Sequence, residues 1–132
     1  MGLLLHDAVR DADSDRFRQL LIGEMSDVNA RAQDGLTALH WGAQEGQVEA
    51  VRLLLAAQAN PNALGPNRTT PLFSSLFAPA DRRVAVTTAL IKAGAAPRAR
   101  LADGVSYLEI VAEVGDELLR SALRDLLGLG KA

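Results

Sequence analysis

The chain has 132 residues, a formal net charge of −2, and 48 % hydrophobic and 23 % charged residues. This composition is typical of one folded domain, and its slight acidity argues against a nucleic-acid-binding protein, which normally carries a basic face. Cysteine is absent, which excludes disulfides and thiolate metal sites. No apolar run approaches the roughly 20 residues that span a bilayer, and Met1–Arg10 has no basic start typical of a signal peptide, so we expect a cytoplasmic protein with no membrane contact.

The sequence repeats itself at a spacing of 33 residues. Thr37–His40 is matched 33 positions later by Thr70–Phe73, and Asn29-Ala30 recurs as Asn62-Ala63. A fixed period of this size indicates one small structural unit written several times. We therefore predict a single domain over 1–132 with four units, at approximately 3–30, 31–63, 64–99 and 100–129.

Units one and two each read as two short helices followed by a loop. Unit one contains Leu5–Ala8 and an apolar stretch, and it ends at Ser26–Ala30. In unit two, Thr37 is predicted to cap a first helix that ends near Gly46. A second helix follows, and a turn at Asn60–Asn62 closes the unit. The apolar positions predicted to face the core of unit two are Leu39, Ala43, Val48, Val51, Leu54 and Leu55.

Unit three follows the same plan with three additional residues. Thr70 is predicted to cap its first helix, and Pro71 occupies the first helical position, where a missing N–H is tolerated. The distance from Ala59 to Ala95 is 36 residues, so the insertion must lie between the two helices, within Phe77–Arg83. The second helix is predicted to end at Gly94 and to carry Val84, Ala85, Thr88, Leu90 and Ile91.

Unit four is predicted to close the array. Ser106 and Glu109 have the spacing of a capping box at the start of its first helix. The second helix has one apolar and one charged side, which is what a terminal repeat requires because nothing packs beyond it. Its apolar side contains Leu119, Leu123 and Leu126, and its charged side contains Glu117, Arg120, Arg124 and Asp125.

Asp34–Gly46, with Val51–Leu55 and Asn60–Ala63, resembles the ankyrin repeat family, with its D-G-x-T-P-L-H-x-A-A-x-x-G motif, leucine triplet and turn. The resemblance covers nearly the whole chain and is strongest over 27–99. It implies an all-α solenoid of helix-turn-helix units joined by extended β-turn loops, with the outer two units as caps. It further implies a non-catalytic protein–protein interaction module, which binds its partner on a concave face of first helices and loop tips.

The residues predicted to contact a partner lie on these first helices and tips. Trp41 has two compatible interpretations, a binding anchor or a ring packed between neighbouring first helices. Each tip is either a contact or an ordinary solvated turn, and the insertion around Phe77 is either an extended finger or a tolerated lengthening. The full set of candidates is Gln33, Asp34, Leu36, Trp41, Gln44, Glu45, Asn67, Thr69, Ser74, Phe77, Asp103 and Val105.

Neither histidine indicates a catalytic or metal-binding role. His6 and His40 occupy the motif position, and neither has a partner at metal-ligand or triad spacing, so we interpret His40 as a structural hydrogen-bond donor to loop backbone. Units three and four have Phe73 and Glu109 at this position. Nucleophile, phosphate-loop and metalloprotease motifs are also missing, so we expect no catalytic residue, no cofactor and no metal.

The alternative to a protein-binding module is a structural or self-assembling protein. Leu126, Leu127 and Leu129 exceed what a last cap is expected to bury, and an apolar strip there would suit a homodimer. We expect a monomer that binds another protein, with the homodimer as the alternative.

Overall fold

The computed structural model describes residues 28–114 and 116–128, so the expectations for unit one before Val28, for Leu129 and for His6 lie outside the described residues. Within the described ranges the chain is helical, without a strand, as predicted. Unit two contributes α1 and α2, unit three α3 and α4, and unit four α5 and α6. The bounds are α1 Ala38–Glu45, α2 Val48–Ala56, α3 Pro71–Ser75, α4 Ala80–Lys92, α5 Tyr107–Glu113 and α6 Glu117–Leu127, with a 3-10 turn at Pro66–Arg68.

Helix α1 begins and ends at residues the sequence marks. The Thr37 hydroxyl accepts a hydrogen bond from the His40 amide, and the His40 ring accepts one from the Thr37 amide, which completes a capping box. Gly46 ends the helix in the left-handed conformation at φ 69°, where glycine carries no steric penalty. A side chain at Gly46 would also place its Cβ 2.9 Å from the Pro79 ring, so this turn packs tightly against the next unit.

The helices stack in two layers. First helix α1 packs against α3, second helix α2 packs against α4, and α4 packs against α6, while the two helices of each unit also contact one another. The apolar positions predicted for unit two face this contact, since Val51 and Leu54 are fully buried and Leu39 nearly so. The core continues through unit three into unit four, where its largest members are Leu72, Leu90, Tyr107 and Leu119.

Unit three departs from the predicted details. Thr70 is the N-cap residue of α3, but its side chain makes no capping hydrogen bond. Part of the insertion is helical, because α4 begins at Ala80, and the loop is shortened to Leu76–Pro79. Of the residues predicted on α4, Leu90 is buried and Val84, Ala85, Thr88 and Ile91 are half-buried, while the helix also buries Val86 and Thr87.

Unit four forms only half of its predicted capping box. The Ser106 hydroxyl accepts from the Glu109 amide at 3.1 Å, but the Glu109 carboxylate contacts the Ser106 hydroxyl rather than its amide. Helix α6 buries Leu119 and Leu123 as predicted. Leu126 and Leu127 are half-buried, and the exposed leucine of α6 is Leu118, at 75 %.

None of the helices in the described ranges has the length and apolar character that a membrane span requires.

Candidate functional site

The structure places the predicted contact residues at the loop tips and along the first helices. Leu36, Trp41, Thr69 and Val105 are half-buried, so each shows part of an apolar or polar side chain to solvent. Ser74 is the exception, because it is 3 % exposed and its side chain does not reach the surface. The fully exposed candidates are Gln33, Asp34, Gln44, Glu45, Asn67, Phe77 and Asp103.

A groove on unit four brings together residues that the sequence prediction mostly missed. Its volume is ≈ 440 Å³. By repeat position, four of its lining residues are the counterparts of Leu36, Trp41, Gln44 and Glu45 in unit two. That equivalence was the signal that could have identified them, since only one of the four was predicted. The lining residues are Val105, Glu109, Ile110, Ala112, Glu113 and Val114.

Because these positions line one groove in unit four, their counterparts in unit two lie on the same side of the stack. We call this surface the first-helix face. It combines half-exposed apolar side chains with exposed polar ones. Its members are Leu36, Trp41, Gln44, Glu45, Thr69, Phe77, Val105, Ile110, Glu113 and Val114.

Two of the predicted tip residues have a clear structural role. Asp34 Oδ1 accepts from the Leu36 amide at 3.0 Å, and Asp103 Oδ1 accepts from the Val105 amide at 3.0 Å. Such a hydrogen bond, two residues onward, fixes a tight turn and holds the following side chain in place. These aspartates therefore orient Leu36 and Val105 on the first-helix face.

The tip of unit three lacks the glycine found in its neighbours. Asn67 and Arg68 both adopt left-handed backbone, at φ 58° and 63°. Asparagine tolerates this conformation, whereas arginine pays a steric cost that glycine would avoid. The Ala102 amide donates to the Asn67 carbonyl at 2.9 Å, so this tip is joined directly to the tip of unit four.

His40 braces two successive tips, as predicted. Its Nδ1 accepts from the Thr37 amide at 3.1 Å, and its Nε2 lies 2.7 Å from the Thr69 carbonyl oxygen. Since the amide can only donate and the carbonyl can only accept, the proton is on Nε2. Burial lowers the pKa of His40 below its usual 6.5, and the hydrogen bond to Thr69 only partly opposes that shift. The ring is therefore neutral, and its role is structural.

Glu109 takes a different partner at the equivalent position of unit four. Its Oε1 accepts from Arg100 at 3.1 Å, and the same guanidinium nitrogen donates to the Gly104 carbonyl at 2.6 Å. Both side chains are more than half exposed. The ion pair thus closes the unit-four tip onto its own helix and does not reach a neighbouring unit.

Trp41 and Leu36 both pack against other residues of the stack, and both are also partly exposed to solvent. Trp41 packs against the buried core with part of its ring accessible. A Cβ at Gly65 would lie 2.8 Å from Leu36 Cδ2, so Leu36 rests on the backbone of the next unit. Both interpretations of Trp41 are therefore compatible with its position. The Phe77 ring, by contrast, is 77 % exposed.

Across 28–114 and 116–128, no three His, Cys, Asp or Glu side chains converge to hold a metal ion.

The family model described as ankyrin repeats, in three copies, matches residues 5–101, which is most of the chain.

The curated relatives share the repeats and little else. The chain is 33 % identical over 69 residues to a transient receptor potential cation channel subfamily A member 1 homolog of Caenorhabditis elegans and 38 % identical over 58 residues to palmitoyltransferase akr1 of Schizosaccharomyces pombe. It is 32 % identical over 71 residues to ankyrin repeat and SOCS box protein 3 of Bos taurus. The matches cover 52 %, 44 % and 52 % of this chain but only 6 %, 9 % and 14 % of those proteins.

Proposed function

This chain belongs to the ankyrin-repeat family, and we propose that it is a non-catalytic module that binds a partner protein on its first-helix face. Repeats of this family are in general protein–protein interaction modules. The proposal adds the location of the contact and its residues. The partner is another protein, and the binding form is a monomer.

The observation that carries the proposal is the recurrence of partly exposed apolar side chains at the same repeat positions. Leu36 and Trp41 in unit two correspond to Val105 and Ile110 in unit four, and all four are half-buried. An apolar side chain that is held by a helix or by a hydrogen-bonded turn, and shows one side to solvent, is preorganised for a contact. Exposed polar groups surround them, with Gln44 and Glu45 in unit two, as in the rim of an interface.

Trp41 is the residue expected to contribute most. Tryptophan is enriched among residues that dominate binding, and a ring fixed by packing loses little conformational freedom when a partner covers it. Truncation of such an anchor typically costs at least about 2 kcal/mol of binding free energy.

The test is a pull-down from the native host with four baits, the wild type and three variants. Trp41→Ala and Leu36→Asp should lose the captured partner, whereas Arg52→Ala, an exposed residue of second helix α2, should retain it. Circular dichroism must first show that each bait is folded, because Trp41 also packs in the stack. Loss with Arg52→Ala and retention with both first-helix variants would overturn the proposal.

Light scattering on the eluted chain tests the self-assembling alternative. A monomer mass for the free chain is expected, and a dimer that Leu118→Lys converts to a monomer would favour the structural role instead.

A further inference from the structure

We infer that the partner presents an arginine or lysine side chain, next to an apolar residue, to the groove of unit four. This inference rests on the proposed function and specifies the chemistry of the partner. Four of the six residues that line this groove are apolar, and the other two carry carboxylates.

The apolar residues that line the groove can pack against the aliphatic part of a long basic side chain. Val105, Ile110, Ala112 and Val114 supply apolar surface, and three of them are half-buried while Ala112 is exposed. Arginine and lysine place their methylene groups on such surfaces and keep the charged group at the edge. A shorter polar side chain would leave this apolar surface open to water.

The carboxylates of Glu109 and Glu113 could pair with the charged end of such a side chain. Glu109 and Glu113 are four residues apart on α5, a spacing that places both on one side of a helix. Both are exposed. Glu113 has no ion-pair partner within the described residues, so its charge is available to a ligand.

The cations nearest the groove are already engaged. Arg100 pairs with Glu109. Arg120, on α6, donates to the carbonyls of Ala112 and Val114 at 3.3 and 3.2 Å and pairs with Glu117. Glu117 is contacted by Arg124 as well, so Glu113 is the carboxylate of the groove lining that has no ion pair among the described residues.

Unit two does not repeat this arrangement. Gln44 occupies the position of Glu113, and Glu45 occupies the position of the apolar Val114. The basic contact is therefore assigned to unit four, while unit two contributes the Trp41 anchor. An acidic partner would meet repulsion at Glu113.

The experiment titrates the isotope-labelled full chain with three blocked hexapeptides, followed by NMR. The peptides are Ac-Ser-Leu-Arg-Arg-Leu-Ser-NH₂ and its versions with two Gln or two Glu in place of Arg. The Arg peptide should shift the backbone amides of Val105, Ile110, Glu113 and Val114 in a saturable manner. The Gln peptide should bind several-fold more weakly, and the Glu peptide more weakly still.

Two substitutions with the same change of charge make the test specific. Glu113→Gln should weaken the Arg peptide roughly two- to five-fold, the range of an exposed ion pair. Asp125→Asn removes one exposed carboxylate of α6 outside the groove and should leave the affinity unchanged. The difference between the variants should shrink in about 1 M salt, where exposed charges are screened.

Equal binding of the Arg and Gln peptides, or equal effects of the two substitutions, would overturn the inference, as would shifts confined to other residues. If the Arg peptide does not bind, but Trp41→Ala and Leu36→Asp still lose the captured partner, only the inference of a basic contact is overturned. If both of those variants retain the captured partner, the proposed function itself is overturned.

Discussion

Units two and three meet through apolar side chains and two polar braces, whereas units three and four meet around buried hydroxyl groups and an ion pair. We call these contacts the inner seam and the outer seam. Val51, fully buried in α2, has Thr87, also fully buried, as its counterpart in α4. Likewise Ala38 in unit two corresponds to Tyr107 in unit four. The same positions are buried in both seams, but their chemistry differs.

The inner seam is joined by side chain to backbone hydrogen bonds. His40 reaches the Thr69 carbonyl, and Asn62 Oδ1 accepts from the Ala96 amide at 2.7 Å. Asn62 also donates to the Gly94 carbonyl at 3.0 Å. At the corresponding positions of unit three the chain has Phe73 and Arg98. The outer seam therefore lacks both braces.

The outer seam replaces them with polar side chains of its own. Arg83 donates to Asp116 at 2.8 Å and to the Ala78 carbonyl at 2.9 Å. The Tyr107 ring packs edge-on against Phe73, with centroids 5.9 Å apart. Its hydroxyl lies close to Thr87, yet neither hydroxyl makes a hydrogen bond of good geometry, and burial raises the pKa of Tyr107 above its usual 10.0.

The difference indicates where the stack is weakest. Buried hydroxyls without a well-formed hydrogen bond lose their hydration without full compensation, so each makes a seam less stable than an apolar side chain would. We expect unit four to open before units two and three separate. Terminal repeats commonly behave in this way because they have one neighbour instead of two.

The largest expected effect comes from a substitution that breaks the inner seam. Leu54→Ala should lower the free energy of unfolding by about 2–5 kcal/mol, because a fully buried leucine leaves a cavity. The matched control is Leu123→Ala, at the equivalent position in unit four, which lines a shallow groove on the outer side of α5 and α6. Its loss should be clearly smaller. Urea denaturation of both variants makes the comparison, and equal losses would show that a leucine covered by a neighbouring unit contributes no more than one at the open side of unit four.

A smaller effect is expected when the outer seam is broken at Asp116. Its Oδ1 caps α6 by accepting from the Leu119 amide at 3.0 Å, while Oδ2 pairs with Arg83. Asp116→Ala should cost about 1–3 kcal/mol, of which about 1 kcal/mol is the cap. Asp116→Asn keeps a capping oxygen and loses the charge, so it should recover the cap contribution. If both variants melt at the same temperature, the cap does not contribute.

The smallest effect is the pH dependence of the His40 brace. Because the pKa of folded His40 lies below the usual 6.5, the unfolded chain binds a proton first as pH falls. Its contribution to stability is therefore complete above pH about 6.5 and is lost as pH drops through the folded pKa, at no more than about 1.4 kcal/mol per pH unit.

Thermal unfolding of the wild type and His40→Asn at pH 7.5 and 5.5 checks this. His40→Asn should show a smaller fall of the midpoint than the wild type between these two pH values. An unchanged dependence in His40→Asn would mean that another group titrates there.

Much of the fold was set by local sequence features, and those predictions held. Thr37, Gly46 and Pro71 mark helix ends because caps depend on a few consecutive residues. The burial of Leu39, Val51 and Leu54 follows from helical spacing repeated every 33 residues. The family assignment rests on the same repeated positions, so the sequence by itself determined the architecture.

Only the tertiary structure decided the features that depend on a neighbouring unit. Thr87 is buried where the neighbouring unit covers its side of α4, and its polar side chain gives no apolar pattern that would mark this. The pairing of Arg83 with Asp116 joins residues of different units, and no local pattern marks it. The groove beside Glu113 likewise exists because α5 and its tip fold against each other. Side chains that are distant in sequence meet through packing, and packing is a property of the whole stack.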